Sequence, residues 1–170
     1  MDALRQELSC DPNPQSSRYL QAALKETGRH YSGISTLRLA RQSVEVPKTD
    51  IIVPQGSVVS VSPYLTHHDP EIYPNAEQWY PERWLEEPDL AKRLNKAGQL
   101  AYVPFGAGAH RCPGEKLAGI IASMVVGTLA RDFDIAWGTK AGDTTGLDFS
   151  KIGSPWLKGD ASVKITCREA

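Results

Sequence analysis

The chain has 170 residues, 41% of them hydrophobic and 23% charged, the range of a single globular domain large enough to bury a real core. Its 19 Lys and Arg against 20 Asp and Glu leave a net charge of −1, which provides no footprint for nucleic acid or anionic lipid. Three cysteines (Cys10, Cys112, Cys167) form no C-x-x-C pair and leave one over from any disulfide, which argues against a zinc framework and for a reducing compartment.

In chain order, the start Met1-Asp2-Ala3-Leu4-Arg5-Gln6-Glu7-Leu8 lacks the pattern of a signal peptide. Asn13-Pro14 reads as cap and first residue of a helix, and Leu20, Ala23, Leu24 and Thr27 then recur at helical spacing to about Arg29. From Leu37 the pattern becomes alternating, with Leu37, Leu39, Val44 and Val46 set between polar residues, as in a strand. Lys48-Thr49-Asp50 supplies a turn, Ile51–Val53 a short strand, Gln55-Gly56 a second turn and Ser57–Ser62 a β-branched strand. Residues 63–104 carry six prolines and little periodicity, the mark of a specifically packed or functional loop. Gly114–Arg131 is predicted as a helix, so apolar around its circumference that burial on more than one face is expected. Its apolar run, Leu117–Ala130, is 14 residues, short of the roughly 18–20 of a spanning helix. A soluble, cytosol-facing chain is therefore expected. Residues 138–147 read as a loop, and Asp160–Arg168 alternates Ala161, Val163, Ile165 and Cys167 with polar residues, predicting a half-buried strand.

The stretch Phe105-Gly106-Ala107-Gly108-Ala109-His110-Arg111-Cys112-Pro113-Gly114 carries the chemistry. It sets one cysteine in a glycine-rich loop, between cationic side chains and directly before a helix. Nearby cations and a helix N-terminus both favour thiolate, the form that binds a metal. Glycines clear side chains from the sulfur and from any flat group laid against the loop. Pro113 suits a first helical position. The spacing Phe-x-x-Gly-x-x-x-Cys-x-Gly resembles the heme-ligand loop of the cytochrome P-450 superfamily, the heme-thiolate monooxygenases. Lys25-Glu26-Thr27-Gly28-Arg29 resembles the Glu-x-x-Arg helix of that family, and Tyr80-Pro81-Glu82-Arg83-Trp84 its Pro-Glu-Arg-Phe/Trp element. Val53–Ser57 and His67-His68-Asp69-Pro70 resemble the intervening sheet turn and loop, so the likeness runs over about residues 10–170.

The resemblance implies an α+β, mainly helical fold, with 1–170 as the C-terminal heme-binding part of one domain. It implies heme b (iron protoporphyrin IX), Cys112 as axial iron ligand, and Phe105 packed beside thiolate and porphyrin. His110 and Arg38 would bind heme propionates, Gly114 would leave room at the sulfur, and Arg111 adds a cation without an assigned role. Glu26, Arg29 and Arg83 would form a buried structural triad. A Glu–Arg pair three apart on a helix is otherwise a solvated pair worth a few tenths of a kcal/mol. His67 and His68 are expected in a turn as hydrogen-bonded loop residues, and Cys10 and Cys167 as inert thiols. The implied partners are a lipophilic small-molecule substrate and an NADPH-dependent reductase, for which Lys116 is a candidate docking charge. A full-length relative would lie at the endoplasmic-reticulum membrane face.

Family members are about three times longer. No counterpart of their distal helix, with its acid–alcohol pair, or of their substrate-recognition loops is found in these residues, and His30-Tyr31-Ser32-Gly33 replaces their His-Pro-Pro. A missing N-terminal half would leave apolar surface on the Leu117–Ala130 helix exposed. Three readings stay open: a truncated monooxygenase, a non-catalytic remnant or heme-binding interaction module, and a non-redox heme-thiolate isomerase or dehydratase.

Overall fold

A computed structural model of the chain describes residues 2–32, 35–95, 100–138, 147–148, 156–157 and 162–168. Helix α1 (Asp2–Cys10) and helix α2 (Arg18–His30) precede two nested antiparallel pairs: β1 (Thr36–Leu39) with β4 (Val58–Val61), enclosing β2 (Val44–Glu45) with β3 (Ile52–Val53). Short helices α3 (Pro63–His67), α4 (Arg83–Glu86) and α5 (Leu90–Leu94) punctuate the proline-rich stretch. Helix α6 (Glu115–Asp132) runs directly into β5 (Phe133–Trp137), which pairs with β8 (Val163–Cys167), while β6 (Leu147–Asp148) pairs with β7 (Trp156–Leu157). The fold is mixed, mainly helical α+β.

Local chemistry sets the boundaries. Helix α2 begins at Arg18 rather than Pro14, because Ser17 is the cap and its hydroxyl accepts from the Leu20 N–H at 3.1 Å. Asn13 is committed elsewhere: its side chain accepts from the Gln15 N–H at 3.1 Å, holding a tight turn. Helix α1, which sequence periodicity did not pick out, buries Leu4 and Leu8 beside Leu20 of α2 and Ala130 of α6. Burying one such leucine fully contributes about 1.5–3 kcal/mol. On its other side α2 meets a second cluster, in which Ala22 packs with Tyr73, Ala76, Trp84, Leu90, Leu94 and Ala101. Helix α2 is thus the central beam, wedged between the α1–α6 layer and the 63–104 stretch.

In the nested hairpins, the register runs from Thr36 opposite Val61 to Leu39 opposite Val58. The expected turns are present, Lys48 taking φ +64° and Gly56 φ +85°. Lys48 is a non-glycine in the left-handed region, tolerated at a hairpin tip.

Three expectations need correction. Helix α6 is not buried on several faces: Ser123, Gly127 and Ala130 are buried, while Leu117 (61%), Ile121 (54%) and Val125 (52%) stay exposed. The small residues, not the large ones, face α2, because a side chain at 127 would collide with Pro14 Cβ at 2.4 Å. Its large apolar side chains are open along the opposite face. The tail strand β8 is exposed at every position; among the described residues its one strand partner is β5. Pro113 lies in the turn before α6, whose cap is Gly114. The loop expected at 138–147 falls mostly outside the described residues.

Candidate functional site

The cysteine loop closes on itself through its backbone. The Gly106 N–H donates to Val103 O at 3.0 Å, the Arg111 N–H to Gly108 O at 3.1 Å, and the Cys112 N–H to Phe105 O at 2.9 Å. Gly106 and Gly108 take φ +76° and +65°, a conformation that L side chains resist. A single 3-10 turn, Gly108–His110, brings the chain round to Cys112, whose thiol is free and exposed. A Cβ at Gly114 would stand 3.7 Å from Cys112 Sγ, so the glycine leaves one side of the sulfur uncovered. At Gly108 a side chain would meet nothing within 4 Å; there the positive φ, not crowding, demands glycine.

The neighbours differ in what they do. Arg111 is engaged by Glu115 one helical turn on, with Nη2 2.8 Å from Oε1, so its charge ties the loop to the first turn of α6. Its guanidinium is thereby held more firmly in the charged form. His110 is exposed, and Phe105 is half-exposed at 36%. Arg38 lies exposed on β1 and donates to the Leu37 carbonyl at 2.8 Å. Among the described residues no hydrogen bond joins it to the cysteine loop.

Beneath the loop, Glu26 and Arg29 are fully buried and Arg83 nearly so, at 7% exposure. Glu26 Oε1 accepts from Arg29 Nη2 at 2.8 Å, the Tyr80 N–H at 3.0 Å and Arg83 Nε at 3.2 Å. Oε2 accepts from Arg29 Nε at 3.1 Å and Trp84 Nε1 at 2.9 Å. Burial alone would raise the Glu26 pKa; the bonds from Arg29, Tyr80 and Trp84 outweigh it and hold the carboxyl below its ordinary range. Arg29 reaches further, to His67 O at 2.5 Å and Gln78 O at 3.1 Å, and Arg83 donates to Pro74 O at 3.0 Å. Tyr73 lies under the Arg29 guanidinium, 5.2 Å from ring centroid to Cζ. Two short helices, α3 and α4, and the turn at Asn75 are thereby fastened to α2.

Contacts from α2 and α3 join this cluster to the loop: the Tyr102 hydroxyl donates to Lys25 O at 3.2 Å, and the Val103 N–H to His67 Nε2 at 3.1 Å. Gly28 lets α2 approach Pro104, to which a Cβ at 28 would come within 3.4 Å. His67, expected in a turn, closes helix α3 and is completely buried. His68 follows it, half-buried, with its Nδ1 3.0 Å from Tyr64 O. Sequence reasoning found Glu26, Arg29 and Arg83 but not Trp84 as an indole donor or His67 as a buried one. Trp84 sits within the Pro-Glu-Arg-Trp run and could have been found there.

The family model for Cytochrome P450 matches residues 10–153. The chain belongs to the cytochrome P450 family. Among curated relatives of this P450 chain, the cytochrome P450 monooxygenase pytD of Aspergillus terreus is 52% identical over 97% of the chain and 46% of that protein. The monooxygenase pyvB of Aspergillus violaceofuscus is 51% identical over 95% of the chain and 34% of its own length. A sterol 14-alpha demethylase of Pyrenophora dematioidea is 33% identical over 77% of the chain. The chain therefore spans less than half the length of the curated relatives it matches. In structure it resembles the retinoic-acid-bound cyanobacterial CYP120A1, with a TM-score of 0.79 at 25% identity, over 98% of the chain and 39% of that structure. Members of the P450 family carry a heme cofactor and in general use a redox partner and lipophilic substrates. An exposed thiol directly before α6, with the side-chain-free Gly114 beside its sulfur, fits such a planar, iron-bearing group. Among the described residues no helix is long and apolar enough to cross a membrane.

Proposed function

We propose that Cys112 is the axial ligand of heme b in a monooxygenase that inserts oxygen into a lipophilic small molecule, such as a sterol, a terpenoid or another secondary metabolite. The observation that carries this reading is the cysteine loop itself: a free, exposed thiol on a closed backbone turn, braced from below by a buried charged cluster. The names of the relatives, P450 monooxygenases and sterol 14-alpha demethylases, support the reaction class and an apolar substrate.

The residues divide the work. Cys112 would supply the thiolate, and Gly114 leaves room beside its sulfur. Phe105 packs against that plane, and its carbonyl fixes the Cys112 backbone. His110 and Arg38 would hydrogen-bond the propionates; both are exposed and free of carboxylate partners among the described residues. Arg111 serves as a strut to Glu115 rather than as a heme contact. Glu26, Arg29 and Arg83 hold the stretch that leads into the loop. When heme is bound, the chemistry supplied is dioxygen activation, favoured by electron density pushed from the thiolate. Electrons come from a reductase docked on the face that carries Lys116.

The test is the absorption spectrum of the chain reconstituted with heme, reduced and exposed to carbon monoxide, beside Cys112→Ala. A thiolate-type Soret band lost in the variant supports the reading. Free-heme absorbance in both sinks it, and leaves the chain a non-catalytic relative of its family.

A further inference from the structure

We propose that His67 is a positioning residue for the cysteine loop, passing the fixed geometry of the Glu26–Arg29 pair to the backbone that carries Cys112. The proposal rests on the assignment of Cys112 as the functional thiolate.

His67 is bound to Arg29 at both of its ends. Its carbonyl accepts from Arg29 Nη1 at 2.5 Å, and its ring Nδ1 lies 3.1 Å from the Arg29 carbonyl. The far side of the ring meets the loop: the Val103 N–H points at Nε2 across 3.1 Å. A backbone N–H can only donate, so Nε2 is the acceptor and the proton sits on Nδ1, donated to Arg29 O. The tautomer is fixed by its two partners. The ring is fully buried and stacked on Tyr102 at 5.8 Å between centroids, with the edge of Tyr73 at 6.3 Å. Burial favours the neutral ring that this arrangement requires.

Val103 is the last anchored residue before the loop. Its carbonyl accepts from Gly106, and two residues on, the Phe105 carbonyl accepts from Cys112. Tyr102 is held separately by Asn95, through a bond in each direction. Beyond Val103 the chain from Gly108 to Cys112 is exposed, so the loop is placed by backbone bonds at its entrance and by the Arg111–Glu115 pair at its exit, not by burial of its own side chains. A buried neutral polar group with both capacities used is costly to unmake, which suits a fixed reference point.

The test compares His67→Phe, which keeps an aromatic ring without either nitrogen, with His67→Gln, whose amide carries one donor and one acceptor. Amide hydrogen exchange is followed residue by residue in the purified chain without heme. In His67→Phe the Val103 and Cys112 amides should exchange about tenfold faster, while the Tyr80 amide, bonded to Glu26, moves far less. His67→Gln should restore Cys112 protection to within about twofold of the parent. Acceleration confined to Val103, or equal at Tyr80 and Cys112, overturns the proposal. If His67→Phe fails to fold, His67→Gln decides alone: parent-like protection at Cys112 supports it, and a Cys112-selective loss overturns it. Because the readout needs no heme, a chain that never takes up heme sinks the cofactor reading and leaves this result standing by itself.

Discussion

Replacing Glu26 by Gln isolates the charge at the centre of the molecule, because the two side chains have the same shape. The carboxylate accepts five hydrogen bonds, two of them from Arg29 and one from Arg83. With its oxygen in the Oε1 position, the amide can keep the bonds from Arg29 Nη2, Tyr80 N and Arg83 Nε. Its NH2 then faces Arg29 Nε and the Trp84 indole, two donors against a donor. Two buried guanidiniums lose their counter-charge, and breaking a buried pair in this way costs about 3–5 kcal/mol. Against a total stability of about 5–15 kcal/mol for such a domain, the loss is severe. Urea unfolding followed by tryptophan fluorescence and far-ultraviolet dichroism measures it as a shifted midpoint at unchanged slope. The control is Lys92→Gln, which removes an exposed pair to Asp89 at 2.6 Å and should leave the urea midpoint where it is. A loss below about 1 kcal/mol in Glu26→Gln would refute the reasoning, since the cluster would then be contributing no more than a surface pair.

Acid should expose the same chemistry from two sides. The Glu26 carboxyl is held below its ordinary range, so the stability from its charge is full above about 4.5 and falls as pH drops through the lower folded value. His67 is pushed down from 6.5 to about 4, first by burial and then by the charges of Arg29 and His68, against the Arg29 carbonyl bond; Tyr73 and Tyr102 face it as neutral rings. Its share is full above pH 6.5 and is lost as pH falls toward 4, about 3 kcal/mol across that window, and His67→Gln should flatten that part of a stability-against-pH curve. Gly127→Ala places a methyl group 2.4 Å from Pro14 Cβ and 3.4 Å from Leu20 Cδ2. Overpacking of about 1–3 kcal/mol should outweigh the roughly 1 kcal/mol gain in helix propensity, a net loss measurable by thermal melting. Ser17→Ala removes the cap of α2 and should cost about 1 kcal/mol in the same assay.

What could be read from the residues and what could not divides along sequence distance. The cysteine loop declares itself within ten residues, and α2 within one run of apolar spacing. The hairpin turns at Lys48 and Gly56 are signalled by their own residues. The start of α2 lies later than Asn13-Pro14 suggests because Asn13 and Ser17 are both acceptable caps, and Asn13 is spent on its own local turn with the Gln15 N–H. His67 escaped because its partners lie 38 and 36 residues away, a separation over which no periodicity speaks. Trp84 reaches Glu26 across 58 residues, yet it stands beside Arg83 in the Pro-Glu-Arg-Trp run, which signals it locally. The tail strand has the alternation of a half-buried strand, yet alternation records a preference for a partner, not its presence; among the described residues β8 pairs with β5 alone.

The position of α2 between two clusters has a consequence for a cut chain. Arg41 and Lys48 are exposed around the hairpin tip, open to a trypsin-like protease. Cleavage there would separate α1 and α2 from everything that follows in covalent terms only. Leu4, Leu8 and Leu20 would still grip Ala130, and Glu26 would still hold Arg83 and Trp84 across the gap. The nicked protein should migrate as one particle under native conditions and fall into two pieces only in denaturant, so that covalent continuity at the hairpin tip is dispensable to the assembled form.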